Sequence, residues 1–178
     1  MRILPGAAAL AACLVLAFGT ASVASPRAME ALDLGAPPKP WPVPDFTLRA
    51  LTGGTLGTKD VKGRVVLINF WTTWCAPCRI EMPVLDKLYR QYKDRGFVVI
   101  GISNDLSDDV VRRFVRELDI TFPILLDPDY EVSTKFRVMG LPGTFIVGRD
   151  GLIRARGYGP REWDRPEAGE LIRFLLDH

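Results

Sequence analysis

Two cysteines three residues apart, Cys75 and Cys78, are the residues of this sequence best suited to chemistry. They follow the apolar, β-branched run Val65 to Phe70, which is typical of a strand buried on both faces. A helix is predicted from about Ala76 to Lys93, so Cys75 lies at its start. Free N–H groups and the positive end of the helix dipole stabilise a thiolate at such a position. We therefore expect Cys75 to attack a partner, and Cys78 to be shielded and to resolve the mixed disulfide.

Three other roles are open to the cysteine pair. A structural disulfide across so short a loop would contribute only about 2 kcal/mol. A zinc site requires four ligands, and the other nitrogen or sulfur candidates are Cys13 and His178. Because Cu(I) accepts two thiolates, a Cu(I)-binding metallochaperone that uses Cys75 and Cys78 is the alternative function. A Cys-x-x-Cys pair after a buried strand is typical of redox motifs, so thiol-disulfide exchange is the preferred hypothesis.

Glu81 is the second candidate for chemistry. It is expected to lie on the same face of the helix as Cys78, within an apolar stripe that also contains Leu85, Leu88 and Tyr92. A carboxylate there would be partly buried, its pKa would rise, and it could exchange a proton with Cys78 near neutral pH. The alternative is a surface glutamate paired with Arg79 or Lys87, with Pro83 disturbing the register of the helix.

The remaining elements predict an α/β fold. A second buried strand over Phe97 to Ile102 would run parallel to the first, because a helix connects them. The rest of the pattern indicates an amphipathic helix after Ser107, a strand at Phe122 to Leu126, a hairpin of Thr144 to Val147 with Leu152 to Tyr158, and a C-terminal helix containing Leu171 and Leu175. This order predicts a central mixed sheet with helices on both faces.

Composition excludes several classes of protein. With 48% hydrophobic and 25% charged residues, the chain fits one ordinary globular domain rather than a disordered or collagen-like protein. Its 23 basic and 21 acidic residues leave a net charge of +2. This small excess does not favour binding to nucleic acid, which requires many cationic contacts with phosphates.

The N-terminal region is predicted to lie outside the fold. Residues 1–24 contain a basic start, an apolar middle and the small residues Ser22 and Ala24 at the end, which is typical of a secretory signal peptide cleaved after Ala24. The same stretch is long enough to remain as a membrane anchor. Residues 25–44 are rich in proline and are predicted to be a linker, so the domain would comprise residues 45–178. Either reading puts the domain in the periplasm or at the extracytoplasmic face of a membrane, secreted or anchored.

Several motifs resemble those of a known family. The Trp74–Cys78 motif, Pro83 and the segment Gly140 to Phe145 resemble the thioredoxin superfamily. The strand Val66 to Trp71 is similar to that of its exported TlpA/ResA-type branch. The resemblance extends from about Pro44 to Leu176. It implies a thioredoxin-like fold with an N-terminal extension and an inserted helix, strand and short helix between Asp105 and Arg137.

The resemblance also implies roles for individual residues. Cys75 would be the nucleophile, Cys78 would resolve, and Glu81 would be a buried acid. Pro142 would be cis and would lie against the disulfide, while the backbone of Leu141 would pair with an incoming peptide. The remaining substrate contacts are expected from Trp74, Ala76 and Pro77.

The implied activity is that of a protein thiol-disulfide oxidoreductase whose only redox group is the Cys75–Cys78 disulfide, with no further cofactor and no metal. It would reduce disulfides of specific exported proteins, as in cytochrome c maturation or copper-oxidase assembly, and a membrane thiol donor would re-reduce it. A thiol peroxidase is a third possibility because Thr72 precedes Cys75 by three residues, but the upstream proline of that family is absent.

Two residues depart from the family pattern. Gly143 follows Pro142 where the family usually carries Thr or Ser, so a side chain beside the site is missing. Asn69 stands where cytoplasmic thioredoxins have a buried Asp, so that proton acceptor is absent.

Overall fold

The computed structural model describes residues 26–178, so the predicted signal peptide or anchor, residues 1–24, lies outside the described residues. The described part of the chain contains eight strands in one sheet and five α-helices. The strands are β1 (Trp41–Pro42), β2 (Thr47–Ala50), β3 (Thr55–Gly57), β4 (Val65–Trp71), β5 (Phe97–Ser103), β6 (Ile124–Leu126), β7 (Gly143–Val147) and β8 (Leu152–Tyr158). The helices are α1 (Pro26–Ala31), α2 (Ala76–Tyr92), α3 (Asp108–Glu117), α4 (Glu131–Lys135) and α5 (Pro166–Asp177).

The sheet is mixed, and its order is β1-β8-β7-β4-β5-β6-β2-β3. Strands β4, β5 and β6 are parallel to one another, whereas β7 and β8 form an antiparallel hairpin beside β4. These elements confirm the predicted α/β fold. The parallel pairs follow from the connecting helices α2 and α3, which return the chain to the same end of the sheet.

The central strand β4 is buried along its whole length, as its apolar sequence predicts. Alternate residues point to opposite faces of the sheet. Val65, Leu67 and Trp71 pack in the core that contains residues of α1, α2, α3 and α5, and Val66, Ile68 and Phe70 pack in the core that contains residues of α4. Asn69 shares the parity of the first set, so the pleat directs its amide towards α2.

Helix α2 continues through Pro83 and ends at Tyr92, close to the predicted Lys93. The buried face of this helix carries Cys78, Glu81, Met82, Leu85, Asp86, Leu88 and Tyr92. The helical register of Glu81 therefore survives the internal proline. None of the helices within residues 26–178 has the length and apolar character needed to cross a membrane.

The tract predicted to be a linker, residues 25–44, differs from that prediction over the part that the structure describes. Ala28 and Met29 of α1 are buried with Leu32 and Leu34 in the core on the α5 side of the sheet. Farther along, Trp41–Pro42 pairs with β8 at the edge of the sheet, where a missing proline N–H does no harm. The prediction overestimated the effect of the prolines, because the apolar residues before them bury enough surface to dock the segment.

Candidate functional site

The two cysteines form a disulfide at the junction of β4 and α2. Cys75 is the N-cap residue of α2 and is 6% exposed, while Cys78 lies in the first turn and is fully buried. The Cys78 backbone N–H donates to Cys75 Sγ over 3.3 Å. Pro77 occupies the first turn, where its missing N–H leaves no helical bond unmade. The helix start therefore directs a donor at the outer sulfur and gives the two sulfurs different access to solvent.

The loop before Cys75 is held by Asp105. Its carboxylate accepts the backbone N–H of Thr73 over 2.9 Å and the Thr73 hydroxyl over 2.7 Å. Ser103 Oγ donates to the same carboxylate over 2.8 Å. These bonds attach the loop that carries Trp74 and Cys75 to the end of β5.

Glu81 lies one turn after Cys78 on the buried side of α2 and is 2% exposed. Asn69 Nδ2 donates to Glu81 Oε1 over 2.7 Å, and the backbone N–H of Arg161 donates to Oε2 over 3.3 Å. The prediction of a buried glutamate on the face of Cys78 is confirmed. The alternative pairing is wrong, because Arg79 pairs instead with Glu117 over 3.0 Å.

Burial raises the pKa of Glu81 from its ordinary value of 4.5 to about 7. The donors from Asn69 and Arg161, the positive charge of Arg161 and the nearby indole N–H of Trp163 act in the opposite direction, because they favour the carboxylate. Desolvation outweighs them. A carboxyl whose pKa is near 7 is able both to accept and to release a proton at neutral pH.

Asn69 contributes to this site in a way that the sequence comparison with cytoplasmic thioredoxins did not reveal. Asn69 does more than replace an acidic residue, because its amide nitrogen donates the shortest hydrogen bond to Glu81. The same nitrogen also reaches Thr144 Oγ1 on β7 over 3.4 Å. The amide therefore fixes the position of the acid that is present.

Arg161 is a residue of this site that the sequence does not reveal. It is 8% exposed, and its guanidinium donates to the carbonyl oxygens of Gly159, Asp33 and Tyr158 over 2.6, 3.0 and 3.4 Å. Its burial lowers its pKa, while the charges of Glu81 and Asp33 raise it. No local pattern could have revealed this residue, because it lies 80 positions after Glu81 in the chain.

The Leu141–Pro142 peptide is cis, as the family resemblance implied. Gly143 of β7 pairs with Phe70 of β4, so Pro142 lies at the end of the central strands where the chain leaves β4 for Cys75. The backbone N–H and C=O of Leu141 make no hydrogen bond to another part of residues 26–178. They are therefore available to an extended peptide.

Gly143 does not open a space beside the site. A Cβ at this position would lie 3.1 Å from the carbonyl oxygen of Gly140 and 3.2 Å from Cγ1 of Val138. The missing side chain is replaced by close packing of the preceding loop. A threonine at this position would require that loop to move.

Exposed apolar residues lie on segments that border the disulfide. Trp74, which precedes Cys75, is 73% exposed, whereas Trp71 is fully buried. Met139, before Leu141, and Leu106, after Asp105, are also exposed. Ala76 is exposed and Pro77 is half-buried on the same helix start. We call Trp74, Leu106 and Met139 the apolar rim, and such surfaces are typical of protein docking sites.

Among residues 26–178, no three His, Cys, Asp or Glu side chains are grouped as metal ligands. The Cu(I) alternative would thus have to rely on the two sulfurs, which are joined to each other here. Nothing in the described site favours it.

Comparison with known proteins agrees with the fold. The sequence model of the AhpC/TSA family matches residues 41–156. A crystal structure of a candidate thiol:disulfide interchange protein DsbE from Chlorobium tepidum superposes with a TM-score of 0.73 at 29% identity, covering 78% of this chain and 97% of the other. The fold is thus thioredoxin-like.

Two curated relatives are similar in sequence. Thiol-disulfide oxidoreductase ResA of Bacillus thuringiensis subsp. konkukian (strain 97-27) is 38% identical over 110 residues, covering 62% of this chain and 64% of the relative. Thioredoxin-like protein YneN of Bacillus subtilis (strain 168) is 42% identical over 113 residues, covering 62% and 66%. The chain therefore spans slightly less than two thirds of the length of these relatives.

Proposed function

The chain belongs to the AhpC/TSA family, and we propose that it is an exported protein thiol-disulfide oxidoreductase that reduces specific partner disulfides. The observation that carries this proposal is the Cys75–Cys78 disulfide at the start of α2, with the buried carboxyl of Glu81 one turn after Cys78 on the same helix. The names of the similar proteins support the same activity. The disulfide is the redox group, and we propose no further cofactor.

The reaction begins with both cysteines reduced. The Cys75 thiolate attacks one sulfur of a partner disulfide, so that a mixed disulfide forms and the other partner sulfur leaves as a thiolate. The stabilisation of negative charge at Cys75 comes from the helix start and the N–H of Cys78. This step breaks one disulfide and forms another, without a net change in electrons.

The second step releases the partner. The Cys78 thiol gives its proton to the Glu81 carboxylate, and Cys78 Sγ then attacks Cys75 Sγ of the mixed disulfide. The Cys75–Cys78 disulfide forms, and the second partner sulfur leaves as a thiolate that takes up a proton. Two electrons have passed to the partner, and the chain has reached the oxidised state seen here. Glu81 suits this step because its pKa is about 7.

The partner is proposed to be a protein. The apolar rim offers Trp74, Leu106 and Met139 to an apolar surface, and the free backbone of Leu141 offers strand-like pairing. Ala76 and Pro77 lie at the helix start where the partner sulfur must approach. The family resemblance implies that Pro142 lies against the disulfide, where its lack of an N–H would leave no donor beside the sulfurs. Pro142→Ala should then trap long-lived mixed disulfides with protein partners.

The biological setting is part of the proposal. We infer action on exported disulfide-containing proteins, in cytochrome c maturation or copper-oxidase assembly, at the periplasmic or extracytoplasmic side. A membrane thiol donor would return the disulfide to the dithiol. The resemblance to the TlpA/ResA-type branch supports this setting, and residues 3–24 would provide either export or an anchor.

The proposal is tested by trapping and by redox titration. Reduced Cys78→Ser should form a stable mixed disulfide with a protein substrate through Cys75, whereas Cys75→Ser should form none. Titration against glutathione and dithiothreitol buffers gives the direction of transfer. A potential near −120 mV, as oxidising as known disulfide donors, would contradict the role as a reductant.

A further inference from the structure

The buried guanidinium of Arg161 has an unusual set of partners. It donates to three carbonyl oxygens, those of Gly159, Tyr158 and Asp33, and its Nε has no partner among the described residues. No carboxylate within residues 26–178 lies within 4.0 Å of it. Burying a charged side chain without a paired carboxylate is unfavourable, so the three carbonyl acceptors must offset the cost of this burial.

The contacts of Arg161 join two parts of the chain that are distant in sequence. Asp33 follows α1 in the N-terminal segment, and Gly159 begins the loop between β8 and α5. The backbone N–H of Arg161 itself holds Oε2 of Glu81 over 3.3 Å. The side chain thus anchors the loop to the N-terminal segment, while the main chain of the same residue positions the acid.

The surroundings are shaped to hold the guanidinium in one place. A Cβ on Gly157 would overlap Nη2 and Cζ of Arg161. The absence of a side chain at Gly157 therefore leaves the room that the guanidinium fills. Trp163 is buried two residues further along the same loop.

We propose that Arg161 is a positioning residue that locks the β8–α5 loop to the N-terminal segment, residues 26–35, and thereby holds Glu81 in place for proton transfer from Cys78. The inference rests on the proposed function, because proton transfer from Cys78 to Glu81 is a step of that function. Its physical content, a coupling between Arg161 and Glu81, is measurable without any partner protein.

The charged groups around Glu81 define what a titration would report. From its own helix the ionisable neighbour is Cys78, which is disulfide-bonded in the oxidised protein and does not titrate. From β4 the neighbour is the neutral amide of Asn69, and from the β8–α5 loop the only charge that acts on Glu81 is that of Arg161. A change at Arg161 should therefore appear directly in the titration of Glu81.

The experiment compares two arginines that both bind the N-terminal segment. Arg165 Nη1 donates to the Ala31 carbonyl over 3.0 Å, so Arg165→Met loosens the same segment without touching Glu81. Arg161→Met removes the buried cation and keeps most of the aliphatic stem. The Glu81 carboxyl is followed by ¹³C NMR across pH in the oxidised full-length protein.

We expect Arg161→Met to raise the Glu81 titration midpoint by roughly half to one pH unit, because it removes a favourable charge and loosens a donor. Arg165→Met should leave the midpoint unchanged. An unchanged midpoint in Arg161→Met, or an equal shift in both variants, would overturn the proposal. If Arg161→Met does not fold, Arg161→Gln, which also removes the charge, is judged against Arg165→Gln by the same criterion. Gly157→Ala should shift the midpoint in the same direction.

A kinetic cycle separates a positioning role from a structural one. Arg161→Met should move the pH midpoint of Cys78-dependent release of a trapped mixed disulfide, but it should have no further effect on that midpoint in a Glu81→Gln background. Additive effects would mean that Arg161 does not act through Glu81. Failure of Cys75 to react with any protein disulfide would refute the proposed function, yet it would leave the NMR measurement valid.

Discussion

Helix α2 carries two buried carboxylates five residues apart, and they have different surroundings. Asp86 is 4% exposed and accepts the backbone N–H groups of Thr121 and Phe122, the Thr121 hydroxyl and Nε of Arg90. Glu81 is 2% exposed and accepts two donors, from Asn69 and from the backbone of Arg161. The two carboxylates are therefore about equally buried, but Asp86 accepts twice as many hydrogen bonds as Glu81.

This difference separates a structural acid from a chemical one. Four donors, one of them charged, satisfy the carboxylate of Asp86 and attach α2 to the turn before β6. Two neutral donors leave desolvation dominant at Glu81, and its pKa is raised to about 7. A buried acid becomes useful for proton transfer at neutral pH when its charged form is incompletely stabilised.

The largest effect is expected when the structural acid is removed. Asp86→Ala would orphan the buried N–H groups of Thr121 and Phe122 and should lower the free energy of unfolding by about 4 kcal/mol. Urea denaturation at pH 7 measures this loss. The rate at which folded Asp86→Ala reduces a disulfide should remain close to that of the wild type, and a selective loss of that rate would break the distinction between the two acids.

The next effect is the dependence of stability on pH. Because the folded-state pKa of Glu81, about 7, lies above its ordinary value of 4.5, the folded state binds the proton more tightly. The associated stability, about 3 kcal/mol, is fully present below pH 4.5 and is lost as pH rises through about 7. The difference in unfolding free energy between wild type and Glu81→Gln should follow this course. A difference that is constant from pH 4 to 8 would contradict the raised pKa.

Glu81→Gln should also slow the resolving step. Glutamine keeps the shape of the side chain but accepts no proton, so release of a mixed disulfide by Cys78 at pH 7 should fall about 100-fold. Stopped-flow kinetics with a preformed mixed disulfide measure this step. Alkylation of Cys75 by a small reagent serves as the control and should stay within about twofold, because Glu81 acts on the other sulfur.

A smaller effect is expected when charge is added to the site of Glu81. Asn69→Asp would place a second carboxylate where an amide donor now lies 2.7 Å from Glu81 Oε1. The two acids would share a proton, so the upper midpoint of the pair should rise by about one pH unit, or about 1.4 kcal/mol. Asn104→Asp, which changes a buried amide beside Asp127 instead, is the matched control and should not alter the Glu81 titration.

The smallest effect is expected on the exposed side of the disulfide. Trp74→Ala should raise KM for a protein substrate about threefold, since an exposed apolar contact contributes to docking rather than to chemistry. Reaction with dithiothreitol should be unchanged. If both reactions slowed equally, Trp74 would be acting on the sulfurs themselves and not on partner binding.

Local patterns in the sequence were sufficient for much of this site. The buried strand before Cys75, the helix after it and the location of Glu81 on the face of Cys78 were predicted from periodicity and confirmed. These features depend on residues within a few positions of one another. The backbone geometry of a strand or a helix therefore determines them.

The structure alone decided the contacts between distant segments. The sequence showed that Asn69 replaces an acid, but not that its amide donates to Glu81. The proline-rich N-terminal tract was expected to be a linker, but it packs on the domain. The sequence showed that Gly143 lacks a side chain, but not that the Gly140 loop packs closely against it.

Sequence therefore determined which sulfurs and which acid this protein carries, and in what order along α2. Tertiary structure determined how that acid is solvated, because its partners come from β4 and from Arg161, 80 positions away. The pKa of a buried group depends on every charge and donor around it in space. Residue spacing along one helix contains no information about donors that arrive from other elements.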